Sequence, residues 1–80
     1  MKMEGKYIRF EKMPKDSKRK TDIYKIITKY ETPEILGSIE WFGRWRKYAF
    51  FPCQNTVYET ICLNDIINFI NELMEERKIK

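Results

Sequence analysis

Histidine is absent from this 80-residue chain, and cysteine occurs only twice. Without an imidazole, no Ser-His or Cys-His nucleophile pair can form, and a metal would depend on carboxylates and two thiols. Cys53 and Cys62 stand nine positions apart with no second Cys or His pair, a spacing that fits no common zinc module. Gly5, Gly37 and Gly43 are isolated from one another, so no phosphate-cradling glycine loop is written here. Nothing approaches 18 consecutive apolar residues, and the N-terminal "MKMEGKYIRFEKMPK" lacks the apolar centre of a signal peptide. Each absence removes a class of function. The sequence predicts no enzyme, no catalytic residues, no cofactor, no metal site and no membrane partner. A cytoplasmic location with both thiols free is the matching expectation.

What is present is apolar and aromatic. The 42% hydrophobic share, with five Phe, five Tyr and two Trp, is too high for a disordered chain even with 35% charged residues. Eighty residues make one domain, and a domain this small buries only about 60% of its unfolded surface, so large side chains must supply the core. Charge is unevenly spread. Residues 1–30 hold ten Lys/Arg against four Asp/Glu, and residues 31–80 hold six against eight. A basic face toward nucleic acid or an acidic partner is compatible with that split, and so is an ordinary solvated surface.

Period-two patterns come first along the chain. "KYIRFEKM" (Lys6–Met13) alternates Ile8 and Phe10 against Tyr7, Arg9 and Glu11, as a strand does. "PKDSKRK", residues 14–20, has no period and reads as an exposed basic loop. "DIYKIITKYE" places Tyr24, Ile26, Thr28 and Tyr30 on one side and predicts a second strand, closed by a turn at "ETPE" where Pro33 fixes φ. "ILGSIEW" sets Ile35, Gly37, Ile39 and Trp41 against Leu36, Ser38 and Glu40 as a third strand. "FGR" supplies a tight hairpin, "WRKYAFF" a fourth strand stopped by Pro52, and Thr56–Tyr58 a short fifth.

The period then changes to 3.6. Leu63, Ile66, Ile67, Ile70, Leu73 and Met74 form a helical stripe, predicting a helix over about 62–78. Asn64 or Asp65 suits its start, Arg77, Lys78 and Lys80 suit its end, and Phe69 lies off the stripe, either widening it or exposed. Glu72, Glu75 and Glu76 read as a solvated helix face rather than acid/base groups. The fold class is therefore α+β: an antiparallel meander of four to five strands within about 6–58, with one C-terminal helix packed on one face. One helix cannot cover both faces of that sheet. The second face must meet solvent, a ligand, a protein partner or a second copy of the chain.

The run "IEWFGRWRKYAFFP" is where function is expected. Trp41, Arg44, Trp45 and Arg46 surround the turn and are the candidate partner-binding residues, because Trp and Arg dominate interface hot spots. The alternative is a small nucleic-acid binder. There Lys15, Lys18, Arg19, Lys20 and Lys47 would meet phosphates, and Tyr48 would stack on bases. Strand alternation splits the aromatics between two faces, so part of this run must be core.

The segments "LGSIEW", "WRKYAFFP" and "CLNDIINFINELMEER" resemble L-G-x-I-x-W, W-R-x-Y-x-F-F-P and C-L-x-x-I-x-x-F-I-x-x-L-M-x-E-R. Those patterns belong to a family of small uncharacterised proteins of bacteriophages and other mobile elements, and the resemblance covers Leu36–Arg77. It implies an accessory role in a phage or host-defence setting, with no catalytic residues to carry over. Together the observations predict a non-enzymatic protein that acts by protein–protein interaction, as a possible homodimer, and that can inhibit a host defence component.

Overall fold

A computed structural model describes residues 3–15 and 17–79. Four strands and a helix follow in order: β1 (Ile8–Lys12), β2 (Tyr24–Thr28), β3 (Ile35–Phe42), β4 (Lys47–Pro52) and α1 (Thr60–Ile79). The strands lie side by side in chain order, each antiparallel to the next. This is the α+β meander with a C-terminal helix that the change of period predicts.

Register assigns the faces. Cross-strand partners share a face, so Ile8 goes with Thr28, Phe10 with Ile26, Tyr24 with Ile39, Ile39 with Phe50, and Trp41 with Tyr48. This face meets the helix. Ile8, Ile26 and Ile39 are fully buried at its centre, and Thr28 is the one buried polar residue among those described. The Thr28 hydroxyl accepts from the Glu34 amide at 2.9 Å while its own amide donates to the Glu34 carbonyl, closing the loop that the Pro33 turn predicts. Tyr30 lies beyond β2 and is exposed.

Strict alternation fails at one point. Ile26 pairs with Gly37 but Ile27 pairs with Ile35, leaving Leu36 as an extra residue on β3. The bulge turns Leu36 into the core and Ile35 out to solvent, the reverse of the simple alternating pattern.

The helix is rotated from its predicted orientation. Cys62, Ile66, Phe69 and Leu73 are buried, with Ile70 and Met74 packed beside them. Leu63 and Ile67 are exposed. Phe69 stacks on Phe10, ring centroids 4.0 Å apart, and meets Tyr24 edge-on at 5.0 Å. A large flat ring fills the space between helix and sheet better than a second aliphatic row, which decides the rotation.

Neither Asn64 nor Asp65 begins the helix. Glu59 does, its Oε1 accepting from the Cys62 amide at 2.6 Å. Asp65 instead accepts from the Lys6 amide and ties the N-terminal segment to the helix. The backbone amides of Ile61 and Cys62 hold the Glu59 carboxyl below its ordinary value. A group shifted down stabilises the folded state fully at neutral pH and loses that contribution as pH falls through its lowered value. Acid should therefore raise amide exchange in the first turn of α1 before the sheet is affected. In Glu59→Ala that local acid response should disappear. Arg77 and Lys78 occupy the last turn as predicted, and Lys80 lies outside the described residues.

No fifth strand forms at Thr56–Tyr58. Pro52 ends β4, Asn55 takes a left-handed φ of 58°, and the chain turns away from the sheet. The Tyr58 hydroxyl donates to the Leu36 carbonyl and its ring meets Phe50 edge-on, so a side chain, not a ladder, anchors this connection. Cys53 is exposed and Cys62 buried, and both are free thiols.

Candidate functional site

The helix covers one face of the sheet, and the opposite face carries Arg9, Glu11, Lys25, Ile27, Ser38, Glu40, Phe42, Lys47, Ala49 and Phe51 by register. Its two halves differ. Over β1 and β2 it is polar, with Arg9 paired to Glu11 at 2.8 Å. Over β3 and β4 it is aromatic. Phe42 meets Trp45 at 4.7 Å and Phe51 at 6.1 Å, both edge-on, making a cluster of three rings. Trp45 is 65% exposed and Phe51 38%. A tryptophan braced on one side and open on the other is already ordered, so binding costs it little rotamer freedom.

The turn that carries Trp45 runs over four residues, Gly43–Arg46. It is closed by Trp45 N–H to Phe42 C=O at 3.1 Å and Arg46 N–H to Gly43 C=O at 3.2 Å. The left-handed residue is Arg46, with φ 53°, and Gly43 does not use its conformational freedom. Arg44, Arg46 and Lys47 are exposed around the ring cluster. Among the described residues none of the three forms an ion pair.

This geometry brings together three of the four predicted partner-binding residues and separates the fourth. Arg44, Trp45 and Arg46 share the hairpin tip. Trp41 pairs with Tyr48 on the helix face, where Tyr48 meets it edge-on at 5.4 Å and the Arg77 guanidinium lies 4.2 Å from its ring centre. Phe42 and Phe51 take its place beside Trp45. For Phe51 the available signal was its place two residues from Ala49 and four from Lys47 on one strand face, whereas Phe42 was read as part of the turn.

The residues of the nucleic-acid alternative also separate. Lys47 is on the open face, whereas Tyr48 is buried under the helix and cannot stack on an incoming base as predicted. Arg19 is spent on its own loop, donating to the Thr21 carbonyl at 3.0 Å and the Pro14 carbonyl at 2.9 Å. Lys15, Lys18 and Lys20 are exposed, and Asp16, within the predicted loop, lies outside the described residues.

Both sheet edges are partly covered. Backbone parity points the N–H groups of residues 48, 50 and 52 outward from β4. The Tyr48 amide meets the Met74 sulfur at 3.4 Å, and Pro52 has no N–H to offer. Along β1, Phe10 N–H donates to Met3 C=O and Gly5 N–H donates to Ile8 C=O, so the N-terminal segment lies against that edge. Blunted edges of this kind oppose pairing with a strand from another chain. A second apolar surface, Leu63 and Ile67, is exposed on the helix. Among the described residues no helix is long and apolar enough to cross a membrane.

No family model matches the sequence, and no solved structure matches it. The chain is 40% identical over 72 residues to an uncharacterised 9.3 kDa protein of Acholeplasma phage L2, and 90% of each chain is covered. It belongs with that protein to a family of small phage proteins. The match reaches beyond Leu36–Arg77 and takes in part of the basic N-terminal region.

Proposed function

We propose that this chain is a non-enzymatic accessory protein of phage that captures a protein partner with the aromatic half of its open sheet face. The observation that carries this reading is the ring cluster of Phe42, Trp45 and Phe51, with Trp45 and Phe51 exposed on a sheet face that the helix does not cover. Aromatic anchors ringed by cations are the composition of interface hot spots, where truncation costs about 2 kcal/mol or more. The fitting partner has an apolar recess bordered by acidic groups, complementary to Arg44, Arg46 and Lys47. In a phage protein such capture serves to block a host component, defence machinery included. Pairing of two copies through the same face is the competing use of this surface.

Affinity capture from the bacterial host, with and without nuclease, alongside the protein's solution mass, tests the reading. The expected result is a chain of monomer mass retaining a protein partner after nuclease treatment. A dimer that retains nothing assigns the face to self-association and removes the capture role. Retention that nuclease abolishes favours nucleic acid instead.

A further inference from the structure

At the end of the domain where α1 begins, on the helix side of the sheet, a cavity of about 510 Å³ opens to solvent. Buried side chains form its floor, Ile8 and Leu36 from the sheet and Cys62 from the helix. Tyr7, just before β1, and Tyr30, two residues after β2, add two aromatic rings, both exposed. The charged lining is of one sign. Glu34 and Glu59 border the cavity, and among the described residues no lysine or arginine lines it. Neither carboxylate forms an ion pair with a described residue. Glu59 is fixed by the Cys62 amide at 2.6 Å, and a carboxylate has lone pairs for further donors. The chain's own Lys6 shows which charge these groups attract. Its ammonium lies 5.2 Å from the Tyr7 ring centre. It also adds to the pull of the Ile61 and Cys62 amides that keeps Glu59 ionised.

We propose that this cavity binds an organic cation, an ammonium group on an apolar body, with the body on the floor of Ile8 and Leu36 and the charge against Glu34, Glu59 and the tyrosine rings. Charge decides between ligand classes of the same size. An anion would meet two carboxylates. A neutral ligand would cover them without supplying a counter-charge, which costs solvation. An ammonium pairs with them and gains from the ring faces as well. The volume lies within the roughly 300–1,000 Å³ of ligand pockets. Two cationic features oppose such a ligand. One is the positive end of the helix dipole, which the Glu59 cap offsets. The other is Lys6, which competes for the Tyr7 ring. Lys29 is engaged elsewhere, with Glu4 at 3.6 Å and the Gly5 carbonyl at 3.2 Å. The cavity shares no residue with the Phe42–Trp45–Phe51 cluster, so either assignment can fail without the other.

NMR titration of the full chain at low salt separates charge from shape with three probes of similar size: benzylammonium, benzyl alcohol and benzoate. The expected result is that benzylammonium saturably shifts resonances of Tyr7, Tyr30, Leu36 and Val57, which line the cavity. Benzyl alcohol binds about tenfold more weakly, and benzoate does not bind. Glu34→Gln weakens benzylammonium binding about tenfold, as loss of a hydrogen bond to a charged group predicts. Tyr30→Ala, at an exposed position, weakens it about two- to fivefold without risk to the fold. Lys6→Gln, which removes the competing ammonium, tightens it. Ammonium groups reach such a cavity as free amines or as lysine side chains of another protein. Nα-acetyl-lysine methylamide binding more tightly than benzylammonium assigns the lysine source, and weaker binding assigns the free amine. No saturable shift with benzylammonium overturns the proposal. So does equal or tighter binding of benzyl alcohol or benzoate. Binding that Glu34→Gln and Tyr30→Ala leave unchanged, or that Lys6→Gln weakens, overturns it too.

Discussion

Phe69→Ala should destabilise the protein by about 3–5 kcal/mol, the cost of removing a buried aromatic ring and leaving a cavity. Phe69 is 2% exposed and holds helix to sheet through its stack on Phe10 and its edge contact with Tyr24. A domain of this length has roughly 4–12 kcal/mol in total, from about 0.05–0.15 kcal/mol per residue, so the variant loses a large share of it. Ile67→Ala, two positions away on the exposed side of the same helix, should change stability by no more than about 0.5 kcal/mol. Urea unfolding followed by far-UV circular dichroism measures both. Equal losses in the two variants would show that the helix presents a different face to the sheet.

Gly37→Ala should damage the sheet although it adds only one methyl group. A Cβ there would lie 2.5 Å from the Phe51 carbonyl oxygen and 3.0 Å from the Pro52 Cα. Both are backbone atoms of the neighbouring strand and cannot rotate away. β3 and β4 would have to separate where the open face carries Phe51, so a loss of about 1–3 kcal/mol or more is expected, as for other overpacked sites. Gly43→Ala is the contrast. A Cβ at Gly43 meets nothing within 4 Å, so that variant should unfold at nearly the wild-type urea concentration. Comparable losses from the two substitutions would contradict the close approach of β3 and β4.

These two positions also show where sequence reasoning succeeds and where it stops. Alternation at Ile8–Phe10, Tyr24–Ile26 and Ile39–Trp41 specifies the strands and their core side, because a half-buried strand cannot hide its period. The helix was legible for the same reason, but its rotation was not. Two aliphatic rows, Cys62–Ile66–Leu73 and Leu63–Ile67–Ile70, lie side by side on α1, and hydrophobicity alone ranks them nearly equal. Phe69 breaks the tie only once Phe10 and Tyr24 are known to face it. The bulge at Leu36 has no local signature, because it follows from how β2 and β3 pair rather than from either strand alone.

The candidate site was legible to the same degree. Trp45 and its arginines are marked by composition, and the uncovered sheet face follows from counting one helix against one sheet. Trp41 could not be separated from Trp45 without the length of the turn between them. Four residues, closed by a left-handed Arg46 rather than by Gly43, place the two indoles on opposite faces. Tyr48 was misassigned for a related reason. Its alternation partner, Phe50, marks the side that the helix covers, and burial there removes it as a stacking surface.

The most direct test of the open-face account is capture of the host partner by three proteins of matched stability: wild type, Trp45→Ala and Ile67→Ser. Trp45 belongs to the ring cluster and Ile67 to the exposed helix surface on the other side. The account predicts that Trp45→Ala weakens capture about thirtyfold, the equivalent of about 2 kcal/mol at a hot spot, while Ile67→Ser captures as wild type does. Capture lost with Ile67→Ser and retained with Trp45→Ala would contradict it and move the interface to the helix.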